Sequence, residues 1–223
     1  MKKWFIFANI CLILTICVGN IFLIKGGPVL LKASMSAGFV LMGVFGLVYV
    51  LKNNLQNKKF AIVMVCGLFL AMLGDIFLEF NFIVGALFFA IGHGFFFVAY
   101  CNLIKFRWND LLFGVCVFVP AVLLINVAPV FNFGGIVYRI LCSIYALIIS
   151  LMVGKSISNF VQNKNVLTFM LMIGSVLFCF SDIILLFNVF SSVSSSFSFL
   201  CLATYYPAEC VLGYSILQSD FQK

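Results

Sequence analysis

The chain has 223 residues, of which 65% are hydrophobic, 17% aromatic and only 9% charged, and its mean hydropathy is +1.26. A water-soluble domain of this length needs far more polar surface, so the composition excludes that class of protein. Apolar runs of about 20 residues recur along the whole chain, and each is long enough to cross the roughly 30 Å hydrocarbon layer of a membrane. The sequence therefore predicts an all-α, polytopic membrane helix bundle.

In chain order, the breaks between the apolar runs predict eight transmembrane helices in a single integral membrane domain, residues 1–223. Turn-forming residues mark the breaks, for example Gly26-Gly27-Pro28. The first run follows two lysines, as in a signal peptide, but it is long and has no obvious small-residue cleavage site. We therefore predict that it is retained. The predicted spans are residues 4–24, 29–51, 59–80, 83–104, 109–128, 133–153, 166–190 and 197–218.

The basic residues predict the orientation of these spans. Ten of the thirteen, Lys155 among them, lie on one side of the membrane, and only Lys25, Lys32 and Arg139 lie towards the other. The positive-inside rule then places both termini in the cytoplasm. The net charge of +7 is explained by this topology and by anionic lipid at the cytoplasmic surface. It gives no reason to expect a nucleic-acid partner.

Two segments of the chain align with each other at a constant offset of 107 residues. GLFLAMLGDIFLEFN at 67–81 matches GSVLFCFSDIILLFN at 174–188, and the offset extends upstream. This predicts a duplicated four-span unit, with possible halves of about 1–108 and 109–223. Because four is an even number, the halves would form a parallel repeat. The aligned polar pairs are Lys32 with Arg139, Ser36 with Ser143, Asp75 with Asp182, and Asn81 with Asn188.

Acidic residues inside the predicted spans are the main indication of a site. Asp75 and Glu79 lie one helical turn apart on one face of the third span, and Asp182 has the equivalent place in the seventh. A carboxylate facing lipid is costly, so such groups usually face a bundle interior or a watery cavity and are functional. The alternative is a structural ion-pair network in which Lys32 and Arg139 neutralise the two aspartates. For Glu79, which lies nearer the end of its span, the alternative is simple contact with interfacial water.

Depth along the spans places nearly all their ionisable residues in one layer, between the non-cytoplasmic interface and the middle of the membrane. The cytoplasmic halves of the spans are predicted to be almost entirely apolar. The residues of this layer are Lys32, Asp75, Glu79, His93, Arg139, Tyr145, Asp182, Tyr205, Tyr206 and Glu209.

The sequence offers little for metal-dependent or nucleophilic catalysis. His93 is the only histidine, so a zinc site with three protein ligands is disfavoured, and His93 can also serve simply as a hydrogen-bond partner between helices. The nine cysteines lie in apolar runs without a Cys-x-x-Cys spacing, which is typical of packing residues. There is no Gly-x-Ser-x-Gly, P-loop or His-Glu-x-x-His motif. We expect no metal and no cofactor, which leaves chemistry by carboxylates.

Several segments, in order, resemble the YhhN-like lysoplasmalogenases, eight-span membrane enzymes that cleave the vinyl ether bond of lysoplasmalogens. GLFLAMLGDIFLEF, continuing into FIVGALFFAIGH, is similar to the family's Gly-Asp span and to the Gly-x-x-x-Phe-x-x-x-His span that follows. Lys32 is similar to a family lysine at the start of the second span. The resemblance covers about residue 30 to the end. Further matching segments are YALIISLM at 145–152, GSVLFCFSDIILLFNVF at 174–190 and YYPAE at 205–209.

Three positions depart from the family pattern. Ala33 replaces a proline after the lysine, Phe96 replaces a tyrosine after the histidine, and Glu209 replaces a glutamine. These changes leave the two aspartates in place. They leave the substrate preference open, and Glu209 adds an acid to the pocket that can shift the pKa values of its neighbours.

The resemblance implies a lysophospholipid substrate that yields a fatty aldehyde and glycerophosphoethanolamine or glycerophosphocholine. Vinyl ethers hydrolyse by protonation of the β-carbon and capture of the oxocarbenium ion by water, so the protein must supply an acid and a carboxylate, as glycosidases do. We expect Asp75 and Asp182 to share these roles, in an order that the sequence does not fix. Lys32 and Arg139 are placed to meet the phosphate. The other expected pocket residues are Glu79, His93, Tyr145, Tyr205, Tyr206 and Glu209.

The main alternative is a proton-coupled transporter of a small anion or lipid, since a parallel repeat with intramembrane acids and bases also suits a carrier. Alternating access needs polar groups on both sides of the midplane, and the predicted apolar cytoplasmic halves argue against it. A structural or lipid-binding subunit is the third possibility. The compact basic start suits a bacterial inner membrane, where membrane lipids would surround the protein.

Overall fold

The structure, a computed structural model, describes residues 2–192 and 196–221. These residues form eight α-helices and a final 3₁₀ helix, and they contain no β-strand. All eight α-helices are long and apolar enough to cross a membrane. The prediction of a polytopic membrane helix bundle is therefore confirmed. The helices are α1 (Lys2–Ile24), α2 (Val29–Lys52), α3 (Lys58–Leu78), α4 (Phe82–Leu103), α5 (Trp108–Val127), α6 (Ile136–Gln162), α7 (Val166–Phe190) and α8 (Ser196–Ser215), and the 3₁₀ helix is Ile216–Phe221.

Local sequence explains where the helices begin. Gly26, with φ of +93°, turns the chain before α2. Asn81 caps α4, because its side chain accepts a hydrogen bond from the backbone nitrogen of Val84 at 3.2 Å. Asn165 caps α7 in the same way, with the nitrogen of Thr168 at 2.9 Å. These side chains satisfy backbone donors that a helix start leaves without partners.

Six helices form a closed ring, and two lie outside it. The ring runs α2–α3–α4–α6–α7–α8 and returns to α2. Outside it, α1 packs against α2 and α8, and α5 packs against α6. Both outer helices are mostly exposed, as lipid-facing helices are. Because α1 and α5 are equivalent under the 107-residue offset, this arrangement suits the two predicted halves. The duplication and the cytoplasmic termini stay predictions.

Glycine allows the closest approach between α5 and α6. A Cβ atom on Gly154 would collide with the backbone of Gly114 on the facing helix. Small residues of this kind let membrane helices approach closely enough for backbone packing. This contact holds the outer helix α5 against the ring.

At the end of the bundle where α6 finishes, the length of the helix differs from the prediction. α6 continues to Gln162, well beyond the predicted end at residue 153, and carries Lys155 into the interior. The Lys155 Nζ donates hydrogen bonds to Asp110 Oδ2 at 2.7 Å and to the Lys105 carbonyl at 3.2 Å. Ser158 and Gln162 also donate to Asp110. Lys155 is therefore buried among protein groups, although it lies beyond the predicted end of the sixth span. At this end of the bundle, a buried, hydrogen-bonded ion pair joins α5 to α6.

Candidate functional site

The first group of predicted site residues surrounds Asp75, near the end of α3. The Lys32 Nζ on α2 lies 3.0 Å from Asp75 Oδ1 and 2.7 Å from Glu79 Oε1. The Ser36 hydroxyl donates to Asp75 Oδ2, and the Tyr206 hydroxyl on α8 donates to the same oxygen at 3.1 Å. Asp75 is only 3% exposed. Both of its carboxylate oxygens are thus occupied by donors from the protein.

Helical spacing explains this first group. Lys32 and Ser36 lie one turn apart on α2, and Asp75 and Glu79 lie one turn apart on α3, so each pair shares one helix face. Since α2 packs against α3, the two faces meet. A buried ion pair is costly to desolvate unless further hydrogen bonds support it. Here one ammonium serves two carboxylates, and two hydroxyls complete the arrangement.

The second group surrounds Asp182 on α7. The Tyr145 hydroxyl on α6 donates to Asp182 Oδ2 at 2.6 Å and lies 2.8 Å from His93 Nε2. His93 Nε2 is also 3.4 Å from the same Asp182 oxygen. A tyrosine hydroxyl has one hydrogen, so His93 must donate from Nε2 to Tyr145. Among the described residues, no hydrogen bond reaches Asp182 Oδ1.

Asp182 also lies in the wall of a cavity, with 12% of its side chain exposed. The cavity is bounded by α3, α4, α5, α6 and α7. Apart from Asp182, Tyr145 and Ser150, its wall consists of aliphatic and aromatic side chains and two cysteines. The cavity therefore combines one carboxyl group with a lining suited to an aliphatic chain.

Aromatic rings connect the two groups. The Phe178 ring centroid lies 4.6 Å from that of His93 and 5.3 Å from that of Tyr205, and the Tyr205 and Tyr206 centroids are 5.0 Å apart. These are edge-on contacts of the kind that aromatic pairs prefer. The predicted residues of both groups therefore form one connected layer. Among the described hydrogen bonds, however, none joins the two aspartates directly.

Glu209 is a buried carboxyl group of this layer. It is 0% exposed, and within the described structure neither of its oxygens has a hydrogen-bond partner. Within the described structure, the Tyr205 hydroxyl and His93 Nδ1 are also buried without a hydrogen-bond partner. Asp75 and Asp182 both lie close enough to Glu209 to interact with it electrostatically. Because all three are carboxyl groups, this interaction is repulsive, so Glu209 belongs to the layer without holding the two groups together.

Arg139 lies apart from the other predicted residues. It is partly exposed at the start of α6, and its guanidinium carbon lies 5.5 Å from the centroid of the Phe133 ring. No ion pair joins it to Asp182 in the described part of the chain. Arg139 and the cavity residue Cys142 are three residues apart, hence on one helix face. Arg139 therefore lies about one turn from the cavity, towards the helix start.

Three contributors to the layer were not singled out as site residues: Ser36, Phe89 and Phe178. Each lies four residues from a predicted site residue on the same helix, after Lys32, before His93 and before Asp182 respectively. Residues at that spacing share a helix face. This rule, applied to each predicted residue, would have found all three.

The described residues contain no group of three or more histidine, cysteine, aspartate or glutamate side chains that is placed to hold a metal ion. All nine cysteines are free thiols. The polar groups that form the described hydrogen bonds and ion pairs of the layer are carboxyls, phenols, the Ser36 hydroxyl, one imidazole and one ammonium.

Comparison with known proteins gives one match. The model of the YhhN family matches residues 28–216, a range that includes every site residue named above. No curated protein and no solved structure gives a significant match.

Proposed function

The chain belongs to the YhhN family, and from this premise we propose that it is a membrane hydrolase, specifically a lysoplasmalogenase. It would hydrolyse the vinyl ether bond of a lysoplasmalogen to a fatty aldehyde and glycerophosphoethanolamine or glycerophosphocholine. One observation carries the proposal: Asp182 presents an oxygen without a described partner in the wall of a largely apolar cavity. The bond to be cleaved joins an aliphatic chain to a polar glycerol, so it needs both kinds of surroundings.

The reaction begins with a proton transfer to carbon. Asp182, in its acid form, gives its proton to the β-carbon of the vinyl ether. The electrons of the double bond form the new C–H bond, and an oxocarbenium ion remains beside the carboxylate that has just formed. A positioned general acid of this kind contributes roughly 10²–10⁴ in rate.

Water completes the hydrolysis. The Asp182 carboxylate accepts a proton as water attacks the oxocarbenium carbon, which gives a hemiacetal and restores the acid. The hemiacetal then releases the glycerol oxygen as an alcohol, and the aldehyde remains. One carboxyl group that acts first as acid and then as base follows the logic of retaining glycosidases.

Tyr145 and His93 act as positioning residues in this proposal. Both lie on the Oδ2 side of Asp182, so they fix the carboxyl group with Oδ1 free for the substrate. Their hydrogen bonds strengthen as the carboxylate forms, because hydrogen bonds to an ionised acceptor are shorter and stronger. The Asp75 group has a different role. It holds α2, α3 and α8 together beside the cavity, and its charge adds to the field at the oxocarbenium ion.

The substrate's phosphate is best assigned to Arg139. Lys32, the other predicted phosphate ligand, is 8% exposed and already pairs with Asp75 and Glu79. Arg139 is partly exposed, and its guanidinium packs against the Phe133 ring without an ion pair among the described residues. A guanidinium suits bidentate contact with phosphate.

The direct test is aldehyde release by the purified protein in lipid nanodiscs. Lysoplasmenylethanolamine and lysoplasmenylcholine should both be supplied, with the corresponding saturated alkyl ether lysolipids as matched controls. We expect fatty aldehyde from at least one vinyl ether substrate and none from the alkyl ethers. A folded protein that releases no aldehyde from either head group would overturn the proposal.

The buried pair of Asp110 and Lys155 favours the transporter as a second candidate. It puts polar groups at the end of the bundle that was predicted to be apolar. The argument that a carrier would lack polar groups on that side therefore no longer applies. The pair is nevertheless tightly hydrogen-bonded between α5 and α6, as a structural contact would be. Proteoliposomes that move a lysolipid or an anion with protons, without aldehyde release, would favour the carrier.

In either role we propose a location in the bacterial inner membrane.

A further inference from the structure

A groove on the bundle surface lies between α4 and α6. Its floor includes Ala86, Ala90 and Gly94 of α4, and its α6 wall includes Leu141 and Ile148. Tyr145 is the only polar side chain in its lining. The groove therefore suits an aliphatic occupant and offers no partner to a head group.

The groove is open to the side and adjoins the cavity of Asp182. Ile91, Val98 and Ile144 border it and are about half exposed, at 50%, 49% and 54%. Ala86, Leu141 and Tyr145 line both the groove and the cavity. An aliphatic chain in the groove would thus end beside the side chains that border the cavity of Asp182.

The dimensions and direction of the groove match one lipid tail. From Ala86 to Val98 it follows twelve residues of α4, about 18 Å at 1.5 Å per residue. This length is close to the roughly 15 Å of hydrocarbon in one leaflet. In the predicted orientation, the groove starts near the non-cytoplasmic side, and because Val98 lies sixteen residues, about 24 Å, from the start of α4, it continues past the bilayer centre.

We propose that this groove binds the alkenyl chain of the substrate, which enters sideways from the bilayer, and that Gly94 leaves room for long chains because it has no side chain. The inference rests on the proposed function and deepens it. Gly94 is suited to this role because a Cβ atom there would meet nothing within 4 Å. A larger side chain would extend into the groove without disturbing the packing. It would do so about 12 Å along α4 from Ala86, the residue shared with the cavity.

The first experiment compares Gly94→Phe with the wild type on two lysoplasmalogens. One has a tail that ends before Gly94, and the other has a tail that passes it. We expect the ratio of kcat/KM, long chain over short chain, to fall at least about tenfold in Gly94→Phe, with a smaller fall in Gly94→Ala. The control is Cys116→Phe, an exposed position on α5 away from the groove, which should leave the ratio unchanged. An unchanged ratio in Gly94→Phe would overturn the inference.

A second experiment does not depend on turnover. An alkyl ether lysophospholipid with a diazirine at the tail end should crosslink to α4 and α6 in the wild type, and Gly94→Phe should lose that label. Label spread evenly over lipid-facing helices such as α1 would contradict a tail site in the groove. Selective label without aldehyde release would keep the groove and reject the reaction. Aldehyde release with neither selective label nor a changed ratio would keep the reaction and reject the groove.

Discussion

The surroundings of Asp75 and Asp182 differ although the two positions are equivalent under the 107-residue offset. Asp75 is enclosed: an ammonium and two hydroxyls occupy its oxygens. Asp182 has a phenol and an imidazole on one oxygen, and it opens on a cavity. The first place is an enclosed ion-pair centre, and the second is the one that we propose as the reaction site. The same sequence pattern thus led to two different environments.

Two differences between the aligned segments account for this contrast. Leu186 stands where Glu79 would be, so Arg139 has no second carboxylate nearby to draw it inward. Tyr145 stands where Gly38 would be, so a phenol rather than an ammonium reaches the aspartate. Ser143 follows Arg139 as Ser36 follows Lys32, but in place of a bond to an aspartate its hydroxyl accepts one from Asn126 at 3.3 Å. One side chain a turn from each acid and one on the facing helix therefore decide which acid is available.

The largest effect is expected from Asp182→Asn. The amide keeps the shape and can still accept from Tyr145, but it cannot supply a proton to carbon, so kcat should fall roughly 10²–10⁴-fold. Aldehyde release measures this, and the thermal unfolding temperature in the same detergent is the control. Activity within tenfold of the wild type would remove Asp182 from the chemistry.

Lys32→Met should act on stability instead. It leaves Asp75 and Glu79 without their cation, and breaking a buried pair in this way costs about 3–5 kcal/mol. The change should appear as a lower unfolding temperature, and as lost activity only in proportion to lost folded protein. If the folded fraction of Lys32→Met kept its stability but bound substrate more weakly, the phosphate role of Lys32 would be restored.

Tyr145→Phe should have an intermediate effect on catalysis. It removes one hydrogen bond to a charged group, worth about 1.5–3 kcal/mol, and frees the Asp182 carboxyl group to rotate. We expect kcat to fall about 10–100-fold, while KM changes less. The double variant Tyr145→Phe/Asp182→Asn should be no slower than Asp182→Asn alone. Additive losses would mean that Tyr145 acts independently of Asp182.

The smallest effect is expected from Arg139→Gln. A partly exposed cation that meets a phosphate at the interface contributes at most about 1 kcal/mol, so KM should rise about fivefold at unchanged kcat. Stability should stay within about 0.5 kcal/mol of the wild type, as is usual for surface substitutions. A salt titration of KM is the second measurement, since screening should reduce the difference between the two proteins. An unchanged KM would leave the phosphate without an assigned partner.

Much of the fold follows from the sequence, because a membrane span needs a long apolar run and the chain has eight of them. The contact of Lys32 with Asp75 and Glu79 also follows from spacing, since short loops bring neighbouring helices together. The burial of Lys155 could not be predicted in this way, because it depends on a hydrogen bond to Asp110, which lies 45 residues earlier in the chain. The cavity beside Asp182 depends on how five helices leave space between them, and no local pattern records that.

The central claim is that the protein protonates the β-carbon of a vinyl ether beside Asp182. Hydrolysis of a lysoplasmalogen in D₂O tests it most directly, because the proton added to carbon comes from solvent through the carboxyl group. The account predicts one deuterium on the carbon next to the aldehyde carbonyl in the wild-type product, after correction for exchange of the free aldehyde. It also predicts that Asp182→Asn yields almost no product. Aldehyde without deuterium at that carbon, or labelled aldehyde formed at the wild-type rate by Asp182→Asn, would contradict it.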